Sequence, residues 1–84
     1  MSYTVYLSKN AEKELDKLPE HITIPIVIAI NNLSKNPRPV GYIKLKGRNG
    51  YRIRVGNYRV LYEIIDQKLV VEIVSVGHRQ DVYS

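Results

Sequence analysis

No cysteine occurs among the 84 residues, which excludes disulfides, thiolate nucleophiles and cysteine-based metal sites. Histidine is scarce: His21 and His78 are far apart in the chain, and two isolated histidines do not complete a zinc site. Long apolar runs are missing too. The best of them, residues 22–30, is too short to span a bilayer and is interrupted by Thr23 and Pro25. No basic, apolar leader opens the chain. The expectation is therefore a soluble, unprocessed cytoplasmic protein with no metal, no cofactor and no membrane partner. Its length allows one domain, residues 1–84, with one modest core.

The most informative absence is local. Residues 43–59 contain no Asp or Glu but six basic side chains: Lys44, Lys46, Arg48, Arg52, Arg54 and Arg59. Residues 1–42 carry five basic and four acidic groups, and residues 60–84 carry two and four, so this window carries +6 of a chain whose net charge is +5. A polyanionic partner fits such clustering better than a generally basic surface does.

Alternation of Tyr3, Val5 and Leu7 with polar neighbours predicts a short strand. Ser8 is a suitable N-cap, and Ala11, Leu15 and Leu18 recur at helical spacing, so residues 9–18 read as an amphipathic helix that Pro19 ends. A second helix is expected over 22–35, with Ile26, Ile30 and Leu33 on its buried stripe, broadened by Ile22, Val27 and Ala29. Pro25 lacks an N–H and suits only a first turn, which makes Thr23 the preferred N-cap. Asn36-Pro37-Arg38-Pro39 leads as an extended linker into four β-rich runs, 42–46, 51–55, 58–65 and 69–76. The last two are apolar on both parities, as central strands are. Strand, two helices, then a meander give an α+β fold, β-α-α-β-β-β(-β), with both helices packed on one face of a mainly antiparallel, twisted sheet.

Arg52 and Arg54 share one face of their strand, while Tyr51, Ile53 and Val55 take the other. A two-residue turn at Gly56-Asn57 pairs Val55 with Tyr58 and sets Arg54 opposite Arg59. Facing like charges cost up to ~1 kcal/mol, and the hairpin has no carboxylate to relieve them. The plain alternative is an edge that resists aggregation through positive charge. Facing arginines fit phosphate recognition better, because the planar guanidinium binds phosphate bidentately. A turn at Asp66-Gln67 would pair Arg59 with Val74 and bring Val76 and His78 to the same parity, so that His78 edges the basic face.

The order LKG, YRIRVGNYRVLYEI, then VVEIVSVGHRQDVY, which spans nearly the whole chain with the strands and helices around it, resembles the RelE branch of the RelE/ParE bacterial toxins. The resemblance implies a ribosome-dependent mRNA endonuclease (mRNA interferase) cutting in the A site, a metal-independent toxin inhibited by a RelB-like antitoxin in a hetero-oligomer. It implies attack of the substrate's 2′-hydroxyl on the adjacent phosphate, giving a cyclic phosphate and a 5′-hydroxyl. By position, Arg52, Arg54, Arg59 and Arg79 match the basic active-site set. Tyr83 matches an aromatic that stacks on a base or transfers a proton, and His78 matches the histidine of members with VGHR.

The best-known members have lysines where this chain has Arg52 and Arg54. Arginine does not release a proton in proteins, so His78, whose side chain ordinarily titrates near neutrality, is expected to act as general base or acid. The plainer readings are that His78 merely ends a strand and that Tyr83 packs in the tail. Lys44, Lys46 and Arg48 are expected to hold RNA or ribosome phosphates without entering the chemistry. Glu12, Glu14 and Asp16 read as a solvated helix face, and His21 as surface or cap. With Ser84 following Tyr83, antitoxin inhibition is expected to work by occluding the groove or displacing its arginines. Two other functions share this fold: a ParE-like inhibitor of DNA gyrase, and a weakly catalytic member that binds only its antitoxin or nucleic acid.

Overall fold

Ser8 begins the first helix in the way its position requires. In the computed structural model, which describes residues 2–78, its backbone is extended and its hydroxyl accepts from the Ala11 N–H at 3.0 Å. The elements run β1 (Thr4–Leu7), α1 (Lys9–Asp16), α2 (Glu20–Asn32), β2 (Ile43–Lys44), β3 (Tyr51–Val55), β4 (Tyr58–Ile65), a 3-10 turn (Asp66–Lys68) and β5 (Val70–His78). Among the described residues the strands form one five-stranded sheet in the order β1-β5-β4-β3-β2. β1 lies parallel to β5, and every other pairing is antiparallel. The two runs apolar on both parities are interior strands, β4 and β5.

α2 starts earlier than expected. Pro19, extended at φ −66° and ψ 156°, is its N-cap, and the Pro19 carbonyl accepts from Ile22 N at 2.9 Å and Thr23 N at 3.0 Å. Thr23 is not a cap; its hydroxyl donates to the Glu20 carbonyl at 3.2 Å. Pro25 therefore lies inside the helix, where the His21 carbonyl loses its usual donor four residues on. The expected stripe holds: Ile26, Ile30 and Leu33 are buried in one core with Val60, Tyr62 and Ile73 of the sheet. Val27 faces solvent with Ile24 and Ile28.

The segment after α2 is pinned at both ends. Tyr3 N donates to Ser34 O at 2.7 Å and Ser34 Oγ donates back to Tyr3 O at 2.8 Å. The buried Tyr62 hydroxyl donates to the Pro37 carbonyl at 2.7 Å, and burial pushes its pKa up to about 12. Arg38 pairs with Asp66 at 3.0 Å and lies over the Tyr51 ring at 5.5 Å. Tyr3 also donates to Asp66, at 2.7 Å. These bonds from Arg38 and then Tyr3 hold the Asp66 carboxyl below its ordinary pKa.

Cross-strand partners share a face, so the register separates two surfaces. Tyr51 with Tyr62, Ile53 with Val60, and Val60 with Val76 face the helices. Arg52 with Leu61, Arg54 with Arg59, and Arg59 with Gly77 face the other way.

Candidate nucleic-acid site on the arginine face

The hairpin that carries the arginines is built as its sequence dictates. Gly56 takes φ +59° at the first central position, where a two-residue turn of this kind favours glycine, and Val55 pairs with Tyr58. Arg54 and Arg59 stand directly opposite each other, with Arg52 two residues along the same face. The three differ in environment: Arg54 is exposed, Arg52 half-buried and Arg59 only 4% exposed. A guanidinium taken so far from water costs free energy unless it is engaged, and it interacts more strongly with an anion than a solvated one does.

The same face is polarised along its strands. Four residues beyond Arg59, Glu63 pairs with Glu72, and Tyr6 of β1 lies beside Glu72. Arginine faces arginine at the hairpin end and carboxylate faces carboxylate at the other. A phosphate chain is thus drawn to one end of the face and repelled from the other.

His78 departs from expectation. It pairs with Tyr58, not with the arginine parity, and their rings meet edge to face at 5.5 Å. Two features displace the register. The connection between β4 and β5 is a 3-10 turn followed by Leu69 at φ +52°, so Ile65 pairs with Val70. Then a β-bulge intervenes: Leu61 pairs with Ser75 but Tyr62 with Ile73, which leaves Val74 as the extra residue. The longer turn preserves parity; the bulge reverses it. Arg59 consequently faces Gly77 rather than Val74, and His78 falls on the helix-side parity.

Lys44 is separated as well, since it pairs with Tyr51 and shares that residue's face, while Ile43 pairs with Arg52. Lys46 and Arg48 are exposed in the loop closed by a 2.9 Å bond from Leu45 N to Gly50 O. Arg79 and Tyr83 lie outside the described residues. Among the described residues no cluster of three or more His, Cys, Asp or Glu could hold a metal ion, and no helix is long and apolar enough to cross a membrane.

A family described as "ParE toxin of type II toxin-antitoxin system, parDE" matches residues 5–83. Toxin RelG of Mycobacterium tuberculosis is 38% identical over 85 residues, covering 99% of this chain and 98% of that protein. The mRNA interferase toxin RelE of Escherichia coli is 33% identical over 89 residues, covering 100% of this chain and 93% of that protein. In three dimensions the chain is similar to one in the crystal structure of the RelBE2 toxin-antitoxin complex from Mycobacterium tuberculosis, with TM-score 0.82, 34% identity, and 94% and 100% of the two chains covered. It is likewise similar to one in the archaeal RelE-RelB complex from Pyrococcus horikoshii, with TM-score 0.83, 30% identity, and 94% and 97% covered. This chain belongs to the RelE branch of the RelE/ParE toxins.

Within that RelE fold, Glu14 is a residue whose position sequence reasoning missed. It is not a solvated charge: one carboxylate oxygen accepts from the Val76 N–H at 2.8 Å and from the Ser75 hydroxyl at 3.2 Å. Helical spacing placed Glu14 on the polar side of α1, and nothing local could reveal that β5 passes there. A second feature visible only in three dimensions is a groove of about 540 Å³ beside the outer edge of β3. Ala29 and Asn32 of α2, the 39–41 turn, Ile43 and both Arg52 and Arg54 line it. Pairing by β2 stops at Arg52, so residues 53–55 have no strand on that edge among the described residues.

Proposed function

We propose that this RelE-branch chain is the toxin of a type II toxin-antitoxin pair and acts as a ribosome-dependent mRNA endonuclease in the cytoplasm. The observation that carries the reading is the convergence of Arg52, Arg54 and Arg59 on the sheet face that no helix covers. In the proposed reaction the substrate's 2′-hydroxyl attacks the adjacent phosphate, and the 5′-oxygen of the next nucleotide leaves with a proton. Three guanidinium groups converging on one face suit the pentavalent phosphorane, whose extra negative charge they stabilise. Arg79 is assigned to the same cationic set by its place in the VGHR segment.

Arginine supplies no base, and His78 stands on the other face of the sheet. The proton-transfer role is therefore assigned to Tyr83, with His78 packing on Tyr58. Lys46 and Arg48, exposed beside the face, suit phosphates of the ribosome; Lys44 serves only RNA that reaches the opposite face. A cognate antitoxin fits the apolar side chains that α2 leaves outward, Ile24 and Ile28, and the groove beside β3. Relatives of this chain have been crystallised as RelE-RelB complexes.

The test is primer extension on ribosome-bound mRNA after addition of the purified toxin. New 5′ ends at A-site codons are expected; intact message on programmed ribosomes would sink the nuclease reading. The matching family carries the ParE name, which favours gyrase inhibition as the second reading. Loss of supercoiling activity with translation unaffected would establish that one.

A further inference from the structure

The structure assigns to Glu14 the role of a positioning residue for the arginine face, acting through the bulge in β5. This inference rests on the nuclease reading above. β1 stops pairing with β5 at Leu7 and Ile73, so beyond that point the outer edge of β5 needs other partners. The N-cap of α1 and a residue of its last turn provide them. Ser8 N donates to Ile73 O at 2.9 Å, Ser8 Oγ donates to Val74 O at 2.9 Å, and Glu14 takes the Val76 N–H at 2.8 Å. The groups secured are the carbonyl of the extra residue, Val74, and backbone groups on either side of it. A bulge left to water can slip back into regular pairing; this one is clamped from its open side.

The clamp decides what stands beside the arginines. Without the bulge, the Tyr62–Ile73 register would continue, and Arg59 would face Val76 while Tyr58 faced Gly77. A valine side chain would then crowd the buried Arg59 guanidinium, and the core position that Val76 fills would fall to Ser75. With the bulge in place, Gly77 faces Arg59 and Val76 is buried at 1% exposure. Glu14 touches none of the reacting groups. It holds the backbone at Val76, the first residue of the VGHR segment, and with it the register that sets Gly77 opposite Arg59.

The test compares Glu14→Gln, Glu14→Asp and Glu14→Ala with the parent in single-turnover cleavage of ribosome-bound mRNA. Glutamine keeps an acceptor oxygen at the same reach and is expected to cleave within about threefold of the parent. Aspartate keeps the charge but withdraws it by one methylene, and a misplacement of that size is expected to lower the rate at saturating ribosome by ~10-fold or more. The ribosome concentration giving half-maximal rate should move less than about twofold. Amide exchange at Val76 should quicken in Glu14→Asp and not in Glu14→Gln. Because Glu14→Ala can lose the fold, the Gln and Asp pair decides. If Glu14→Asp cleaves at the parent rate, or if Gln and Asp lose activity equally, the positioning role is overturned. A parent that leaves the message intact overturns the nuclease reading, and this proposal with it.

Discussion

Replacing Tyr62 with phenylalanine tests how the second half of the chain is fastened to the first. The Tyr62 ring is 1% exposed, and its hydroxyl donates to the carbonyl of Pro37, itself buried, at 2.7 Å. The Tyr62→Phe variant would keep the ring and its stacking on Tyr51, at 5.8 Å between centroids, and remove only the donor. What is lost is the net value of one hydrogen bond plus the cost of leaving a buried carbonyl without it, about 1–3 kcal/mol. For a domain of this size that lowers Tm by roughly 5–20 °C. The pH dependence gives a second readout. Burial raises the Tyr62 pKa from 10.0 to about 12, so its contribution is full below the unfolded value and is lost as pH rises through the folded one. Urea denaturation of parent and variant near neutral pH should show the full difference, and the gap should narrow between about pH 10 and pH 12. Equal stability near neutrality would refute the claim that this bond fastens the linker. A gap unchanged at high pH would refute the assignment of the alkaline loss to Tyr62.

Three further outcomes follow from the two faces of the sheet. Arg54→Ala should lower single-turnover cleavage on ribosomes by ~10²–10³-fold, the usual loss for one preorganised donor to a transition-state oxyanion, with melting temperature equal to or above the parent because a facing like charge is removed. His78→Gln should cleave within about threefold of the parent from about pH 6 to pH 8; loss of the acid-to-neutral part of the rate profile would return the imidazole to the chemistry. Glu63→Lys sets opposite charges across from Glu72 and should stabilise the fold by ~0.2–1 kcal/mol. Filter binding to single-stranded RNA should tighten at low salt with a steeper salt dependence, and an unchanged affinity would argue against the carboxylate pair steering the phosphate chain.

Elements whose information is local were legible in the sequence. Ser8 caps α1 because its hydroxyl has one nearby use, and Gly56-Asn57 sets Arg54 against Arg59 because a two-residue turn leaves no other register. Pro25 misled because the preference for a first turn is a matter of a few kcal/mol, and burying Ile26, Ile30 and Leu33 on one helix face outweighs it. The His78 side was illegible for a different reason. Its parity depends on one inserted residue, Val74, and nothing in the run VVEIVSV marks where an insertion falls. On the proposal above the bulge depends on Ser8 and Glu14, about sixty residues earlier, which bond its outer edge.

That dependence bears on how the arginine face persists. Like charges face each other at both ends of one sheet surface, Arg54 with Arg59 and Glu63 with Glu72, and each such pair costs up to ~1 kcal/mol. Exchanging Arg59 with Glu63 in the same register would set opposite charges across both pairs. The cost is offset on the other face, where Ile26, Ile30 and Leu33 share one buried core with Val60, Val71 and Ile73, and at the linker, where Tyr62, Arg38 and Asp66 close the corner. A surface held in an unfavourable charge pattern by packing elsewhere is preorganised for a ligand that reverses the penalty. A phosphate lying between Arg54 and Arg59 does so, and the carboxylate end confines it there. On that account the arginines discriminate by place as much as by charge, and moving Arg59 to another outward position on β4 should not rescue its loss.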